Sequence, residues 1–144
     1  MTRILFVCLG NICRSPTAEA VLRGMAPHLE IDSAGTSDWH IGNPPYRPAI
    51  EAAALRGYDL SALRARQVCA DDFTDFGLIL AMDSANLAEL DQICPEHATA
   101  TRRLFLEYAR ESGQTEVPDP YYTRDFDGGL DLIEKASRGL IASL

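Results

Sequence analysis

Arg3-Ile4-Leu5-Phe6-Val7-Cys8-Leu9-Gly10-Asn11-Ile12-Cys13-Arg14-Ser15-Pro16 is the stretch that decides the reading of this chain. Its first part is a continuous apolar run, the pattern of a strand buried on both faces. Beyond it, Ala18, Val21, Leu22 and Met25 recur at helical spacing. Ser15 suits the cap of that helix and Pro16 its first position. The cysteine therefore stands where a strand exits into a tight loop that feeds a helix N-terminus. Such a loop offers backbone N–H groups and the positive end of the helix dipole to an anion. A thiol held there ionises readily. Arg14, six residues on, can give a bidentate fork to two oxygens of the same anion. Cys8 is thus read as a nucleophile and Arg14 as its anion clamp, with the N–H groups of Leu9, Gly10, Asn11, Ile12, Cys13 and Arg14 completing a concave nest. Gly10 suits a close approach of backbone to ligand.

An isolated cysteine after an apolar strand is more often a small core residue, and a C-x5-R spacing arises by chance. The strand before and the helix start after it give the pattern its weight. No Gly-Lys-Ser/Thr follows, so it is not a nucleotide-binding P-loop, and one glycine does not make a dinucleotide fingerprint.

The chain has 144 residues, 47% of them hydrophobic and 24% charged, which fits one domain, 1–144, with a sizeable core. The net charge of −8 argues against nucleic acid or an acidic membrane as partner. A small anionic substrate remains compatible, because the field inside a pocket is local. No apolar run approaches the roughly 20 residues of a membrane span, and no signal-peptide pattern is read at the start. Cysteines stand at 8, 13, 69 and 94 with no C-x2-C pair, and His28, His40 and His97 are scattered. Neither a disulfide framework nor a metal site is expected, and no cofactor; the expected setting is the reducing cytoplasm.

Strands are expected at Ile4 to Val7, Leu29 to Ser33 and within Phe76 to Met82. Arg103 to Leu106 is a fourth strand or a helix start. Helices are expected at Pro16 to Met25, from Pro48 to about Arg56 with Gly57 as its stop, from a cap at Ser84 to Pro95, and over Leu130 to Leu144. Pro118 to Tyr122 reads as a loop. This alternation predicts an α/β chain: a single-domain, three-layer, Rossmann-like fold with a central four-stranded parallel sheet and helices on both faces. In such sheets ligands sit beyond the carboxyl ends of the strands, where Cys8 falls.

Cys8-Leu9-Gly10-Asn11-Ile12-Cys13-Arg14-Ser15-Pro16 resembles the signature loop of the low-molecular-weight protein tyrosine phosphatases. The resemblance continues through Asp32-Ser33-Ala34-Gly35-Thr36, Trp39, Arg64-Ala65-Arg66-Gln67, Ala81-Met82-Asp83 and Asp119-Pro120-Tyr121-Tyr122, in family order. It implies hydrolysis of phosphotyrosine in proteins through a cysteinyl-phosphate. Asp119 would be the general acid, although an Asp-Pro pair by itself is only a turn signal. Ser15 would support the thiolate, and Asn11 and Ser33 would hold the loop in shape. Trp39 lies in a polar loop beside Gly and Pro, a place that suits the wall of a cleft. With Tyr121 and Tyr122 it would sandwich the substrate ring. Asp83 resembles a supporting acid and equally suits the opening of the next helix. Cys13, on the same loop as Cys8, would protect it from over-oxidation through a reversible disulfide. Leu63 departs from the pattern, since many relatives carry a histidine there. The implied partners are phosphotyrosine proteins, acted on by a monomer.

Three rivals share parts of this pattern. An arsenate reductase on the same scaffold needs a further cysteine pair just past the third strand, and Ala81-Met82-Asp83-Ser84-Ala85-Asn86 has none. A protein-arginine phosphatase carries Thr where Ile12 stands. A non-catalytic phosphate-binding module would not need both Cys8 and Asp119, so the intact pair argues against it.

Overall fold

Strand β1 (Arg3–Cys8) alternates its side chains between two buried faces, which is why its sequence is apolar throughout. The computed structural model describes residues 2–144. Ile4, Phe6 and Cys8 pack on one face with Ala18, Val21 and Leu22 of α1 (Arg14–Met25) and with Leu130, Ile133 and Leu140 of α6 (Phe126–Ser143). Phe6 meets the Phe105 ring edge-on, 4.9 Å between centroids. Leu5 and Val7 point to the other face, with Ala34, Ile79, Ala81, Phe73, Phe76 and Leu90. Leu5, Phe6, Ile79 and Leu80 are completely buried. Each such side chain contributes about 1.5–3 kcal/mol, so the apolar run anchors the sheet.

The sheet has four parallel strands in the order β2-β1-β3-β4, with β2 at Glu30–Gly35, β3 at Leu78–Ala81 and β4 at Thr101–Leu104. Parallel neighbours need crossovers. Here α1 joins β1 to β2. The α2 helix (Arg47–Ala54) and the short α3 (Asp72–Asp75) lie between β2 and β3, and α4 (Ser84–Ile93) leads to β4. From β1 the chain goes to one side for β2 and to the other for β3. The carboxyl end of β1 is therefore the switch point of the sheet, and Cys8 ends that strand.

The expected four-stranded α/β architecture is present, with several local differences. Helix α1 begins at Arg14, after Cys13, and has no side-chain cap: the Ser15 hydroxyl is engaged with Cys8 and Asn11 instead. Pro16 is thus the third helical residue. Asp83, not Ser84, caps α4, its Oδ1 accepting the Asn86 N–H at 2.8 Å. Helix α4 stops at Ile93, with Cys94 after its end. Arg103 and Leu104 close β4, and a 3-10 segment, Phe105–Ser112, starts at once, so both alternatives for that stretch hold. Pro118 to Tyr122 is not all loop: Asp119 caps a one-turn helix, α5 (Pro120–Thr123). Helix α2 ends at Ala54, and Gly57 follows with φ +88°, the left-handed geometry that stops a helix cheaply.

Candidate active site

The loop after β1 is shaped by its carbonyls. Those of Cys8 and Leu9 accept from Thr36 and Ser37 at 2.9 and 3.0 Å, that of Ile12 from Tyr46 at 2.7 Å, and that of Cys13 from the Thr17 hydroxyl at 2.6 Å. With the carbonyls tied down, the N–H of Asn11 turns to Cys8 Sγ at 3.3 Å. The N–H groups of Leu9, Gly10, Ile12, Cys13 and Arg14 find no acceptor among the described residues. A curl of N–H groups without partners is an anion nest.

The sharp point of the curl is Asn11, at φ +57°, a left-handed backbone that asparagine tolerates better than most residues. Gly10 has no such angle; what limits a side chain there is His40, 3.0 Å from where a Cβ would stand. The close approach falls instead on Gly35. A Cβ there would stand 2.8 Å from the Leu9 carbonyl oxygen.

Behind the loop lies a buried polar chain. Asn11 Nδ2 donates to Ser15 Oγ at 2.8 Å and to Ser33 Oγ at 3.0 Å, and its Oδ1 accepts the Arg66 N–H at 3.0 Å. Ser15 Oγ stands 3.0 Å from Cys8 Sγ. Arg66 is itself braced, its fork on both oxygens of Asp72 at 3.0 Å and its other edge on Asp32. Leu63 stands outside this network and packs beside Ala20, Ala53 and Leu60.

Arg14 reaches back under the pocket although its side chain is only 4% exposed. One terminal nitrogen donates to Asp83 at 2.7 Å and to the Val117 carbonyl at 2.9 Å. The other lies 3.7 Å from Asp119, and Nε, fully buried, has no partner among the described residues. Arg14 is thus a pocket-lining guanidinium whose Nε hydrogen is left without an acceptor among the described residues. Burial by itself would lower the Arg14 pKa, but the charge of Cys8 and the bond and charge of Asp83 outweigh it and raise it. Asp83 fills both suggested roles, helix cap and guanidinium anchor.

Cys8, Leu9, Gly10, Ile12, Cys13, Arg14, Trp39, His40, Asp119, Tyr121 and Tyr122 line one pocket of about 250 Å³. Asn11 and Ser15 lie behind it, almost fully buried, where they can reach a ligand only through the loop they hold. Trp39 and Tyr122 are 67% and 74% exposed on the rim, and Tyr121 packs between Tyr46 and Tyr122. The Cys13 thiol is pushed up to about 12, by burial first and then by the charge of Cys8. His40, Glu19 and the Arg66–Asp72 brace escape a sequence reading. A lone histidine in a loop carries no signal, and neither does a charged residue on a helix face until that face is known to be buried.

The profile of the family described as Low molecular weight phosphotyrosine protein phosphatase matches residues 3–144. The chain is 41% identical to the Bacillus subtilis low molecular weight protein-tyrosine-phosphatase YfkJ over 150 residues, covering 100% of this chain and 96% of that protein. The YfkJ crystal structure superposes with a TM-score of 0.93, covering 99% of this chain and 94% of that one. A crystal structure of a Drosophila arginine phosphatase superposes at 0.92 with 28% identity, covering 99% and 97%. The chain belongs to the low molecular weight phosphotyrosine protein phosphatase family, and so is a hydrolase.

Proposed function

We propose that this chain hydrolyses phosphotyrosine in proteins, and small aryl phosphates, through a phosphocysteine at Cys8. The observation that carries this reading is the loop itself: a cysteine at the switch point of the sheet, beside five N–H groups without acceptors among the described residues and the Arg14 guanidinium that lines the same pocket. The phosphoryl group seats its non-bridging oxygens on those donors, which also stabilise the charge of its transfer. Cys8 Sγ attacks phosphorus, an S–P bond forms, and the P–O bond to the tyrosyl oxygen breaks. A phenol has a pKa near 10, so the departing oxygen needs a proton at neutral pH, which Asp119 gives. Asp119, now a carboxylate, takes a proton from water; the water oxygen attacks phosphorus, the S–P bond breaks, and phosphate leaves with the thiolate regenerated. Placement of Asp119 on the pocket wall, with one oxygen 3.7 Å from Arg14, supports that role. Trp39, Tyr121 and Tyr122 flank the ring of the substrate.

The reaction uses no metal. Residues 1–144 act as one catalytic domain, as a cytoplasmic monomer; the family match across 3–144 supports the first point. Among the described residues no helix is long and apolar enough to cross a membrane. Peroxide converts the Cys8 thiolate to a sulfenic acid, and the Cys13 thiol then condenses with it, forming the disulfide and releasing water.

A second reading, phosphoarginine hydrolysis, is favoured by the likeness to the Drosophila arginine phosphatase. Ile12 in the pocket lining gives bulk without a hydrogen bond and speaks for the aryl ester. Hydrolysis of phosphotyrosine, phosphoserine, phosphoarginine and arsenate-linked thiol oxidation, measured side by side, decides between them. The expected result is phosphotyrosine turnover that survives chelator and is blocked by vanadate. Loss of all activity in chelator, or preference for phosphoarginine, overturns the reading.

A further inference from the structure

Tyr46 has no part in the reaction described above, yet it touches both sides of the pocket. Its backbone is fixed first. Its N–H donates to the Ile12 carbonyl at 2.7 Å, and its own carbonyl accepts from Ala49 and Ile50 as α2 begins. The half-buried side chain reaches the opposite wall. Its ring centroid lies 5.1 Å from that of Tyr121 and 6.2 Å from that of Phe126. Its hydroxyl accepts from Arg124, whose guanidinium also covers the ring, 5.6 Å from the centroid. We propose that Tyr46 is a positioning residue for the general acid. It fixes the rotation of α5, and with it the direction of the Asp119 carboxylate relative to the phosphate cradle.

Residues three apart share a face of a helical turn. Tyr121 and Arg124 are such a pair, and both rest on Tyr46. Asp119 caps the same turn. Its Oδ1 accepts the Tyr121 N–H at 3.1 Å, and its carbonyl accepts from Tyr122 and Thr123 at 3.1 Å each. The acid is therefore bonded to the turn through side chain and backbone, and a rotation of the turn carries the carboxylate with it. A single helical turn has little stiffness of its own, so its rotation is set by what its side chains touch. Val117, held by Met82, and the buried Pro120 limit where the turn begins. Tyr46 is the contact shared by its far side, and the Ile12 bond ties that contact to the loop that carries Cys8.

Arg124 is itself out of place for its backbone. It ends α5 at φ +63°, the left-handed region where glycine is the usual residue. An arginine there is strained. Among the described residues its side chain hydrogen-bonds only to Tyr46. That contact, rather than the turn, accounts for an arginine at this position.

The proposal rests on Asp119 as the acid of the reaction above, and its consequence is confined to the leaving group. A misdirected acid costs rate only where the departing oxygen needs its proton. The readout is the ratio of kcat/KM for phenyl phosphate to kcat/KM for p-nitrophenyl phosphate, whose leaving group departs more readily without protonation. Weaker packing on the substrate ring, or a partial loss of fold, lowers both values alike and leaves the ratio where it was.

Tyr46→Ala removes both side-chain contacts and keeps the backbone bond to Ile12. It should lower the ratio about tenfold, part of the roughly 10²–10⁴-fold that a general acid supplies. Tyr46→Phe keeps the ring and loses the hydroxyl; Arg124→Gly loses the guanidinium and suits the left-handed backbone. Each should lower the ratio about threefold, a smaller share of the same acid contribution. In an Asp119→Asn background, Tyr46→Ala should leave the ratio of Asp119→Asn unchanged, because the group it positions is gone. A wild-type ratio in Tyr46→Ala overturns the proposal, and so does an equal fall with and without the Asp119 carboxylate. Should Tyr46→Ala fold poorly, Tyr46→Phe and Arg124→Gly decide, and a wild-type ratio in both overturns it. Failure of Asp119 as the acid shows separately, as a wild-type ratio in Asp119→Asn itself, and takes this proposal with it.

Discussion

The loop from Cys8 to Ser15 and the segment from Pro118 to Arg124 meet at one pocket and are held in opposite ways. The loop is roped from behind: its carbonyls are tied to Thr36, Ser37 and Tyr46, and Asn11 is gripped by Arg66, Ser15 and Ser33. The Asp119 segment has one short helix, a cap from its own Asp119 to the Tyr121 N–H at 3.1 Å, a bond from Arg124 to the Tyr46 hydroxyl, and two half-exposed or exposed tyrosines, of which Tyr121 leans on Tyr46. Its firm anchors come earlier, where Val117 bonds Met82 and Arg14 and where Glu116 accepts the Ser84 N–H at 2.6 Å. A site that binds the same phosphoryl group in every substrate gains from a rigid cradle, because preorganised donors need no rearrangement as charge develops. A rim that meets different peptides gains from looseness.

That contrast can be broken at several points. The largest effect is expected from Cys8→Ser, which should still bind phosphotyrosine and should lose turnover by at least about 10⁴-fold, since the hydroxyl stays un-ionised. Equilibrium binding beside steady-state kinetics checks both halves. Asp119→Asn should slow tyrosine phosphate by about 10²–10⁴-fold and p-nitrophenyl phosphate much less, because an acidic leaving group departs without a proton. Equal slowing of the two would show that Asp119 serves the cradle rather than the leaving group.

Gly35→Ala probes the rigid side without touching a ligand. Its Cβ would stand 2.8 Å from the Leu9 oxygen, and backbone must shift to admit it. A loss of about 1–3 kcal/mol in stability is expected, seen in thermal melts, with a fall in kcat/KM larger than that of a rim substitution such as Tyr122→Ala. A silent Gly35→Ala would mean the cradle is softer than its bonding suggests. Ile12→Thr should move selectivity toward phosphoarginine relative to phosphotyrosine, a change in the ratio of rates rather than their size. Unchanged ratios would remove Ile12 from specificity.

The smallest effect concerns Cys13. A thiol pushed up to about 12 is protonated through the whole neutral range and becomes a thiolate only as pH rises toward that value. At pH 8, iodoacetamide should therefore label Cys8 and the exposed Cys69 well before Cys13, which peptide mapping would reveal. Oxidation of Cys8 removes the Cys8 charge from the causes of this rise but leaves burial in place. Peroxide treatment should give the 8–13 disulfide slowly, and Cys13→Ser should recover poorly in thiol reductant. Full recovery of that variant, with no crosslink in the wild type, would leave Cys13 as packing.

Much of this molecule is legible in local sequence. The apolar run from Ile4 to Val7, the helical spacing after Pro16 and the run at Leu78 to Ala81 specify buried parallel strands and their crossovers, because period and burial are written in the side chains themselves. Cys8, Arg14 and the loop between them are contiguous, so they can be recognised together, although the shape of the loop rests on Thr36, Ser37, Tyr46 and Arg66. Caps were harder to read: Ser15 looks like a cap and instead faces Cys8, and Asp83 rather than Ser84 caps α4. A hydroxyl beside a helix start serves whichever partner the fold brings nearer. The pocket wall from Asp119 to Tyr122 was assignable only through resemblance, since nothing local distinguishes that Asp-Pro from a turn. Gly35 and Arg66 could be weighed only in three dimensions. Each acts on the Cys8 loop from a distant part of the chain. The sequence by itself determined where the nucleophile loop lies and which segments become strands and helices of the layered sheet, because burial and period are written in consecutive side chains. The tertiary structure alone decided which polar groups stand behind the loop, because those contacts exist only after β1, β2 and α1 have packed together.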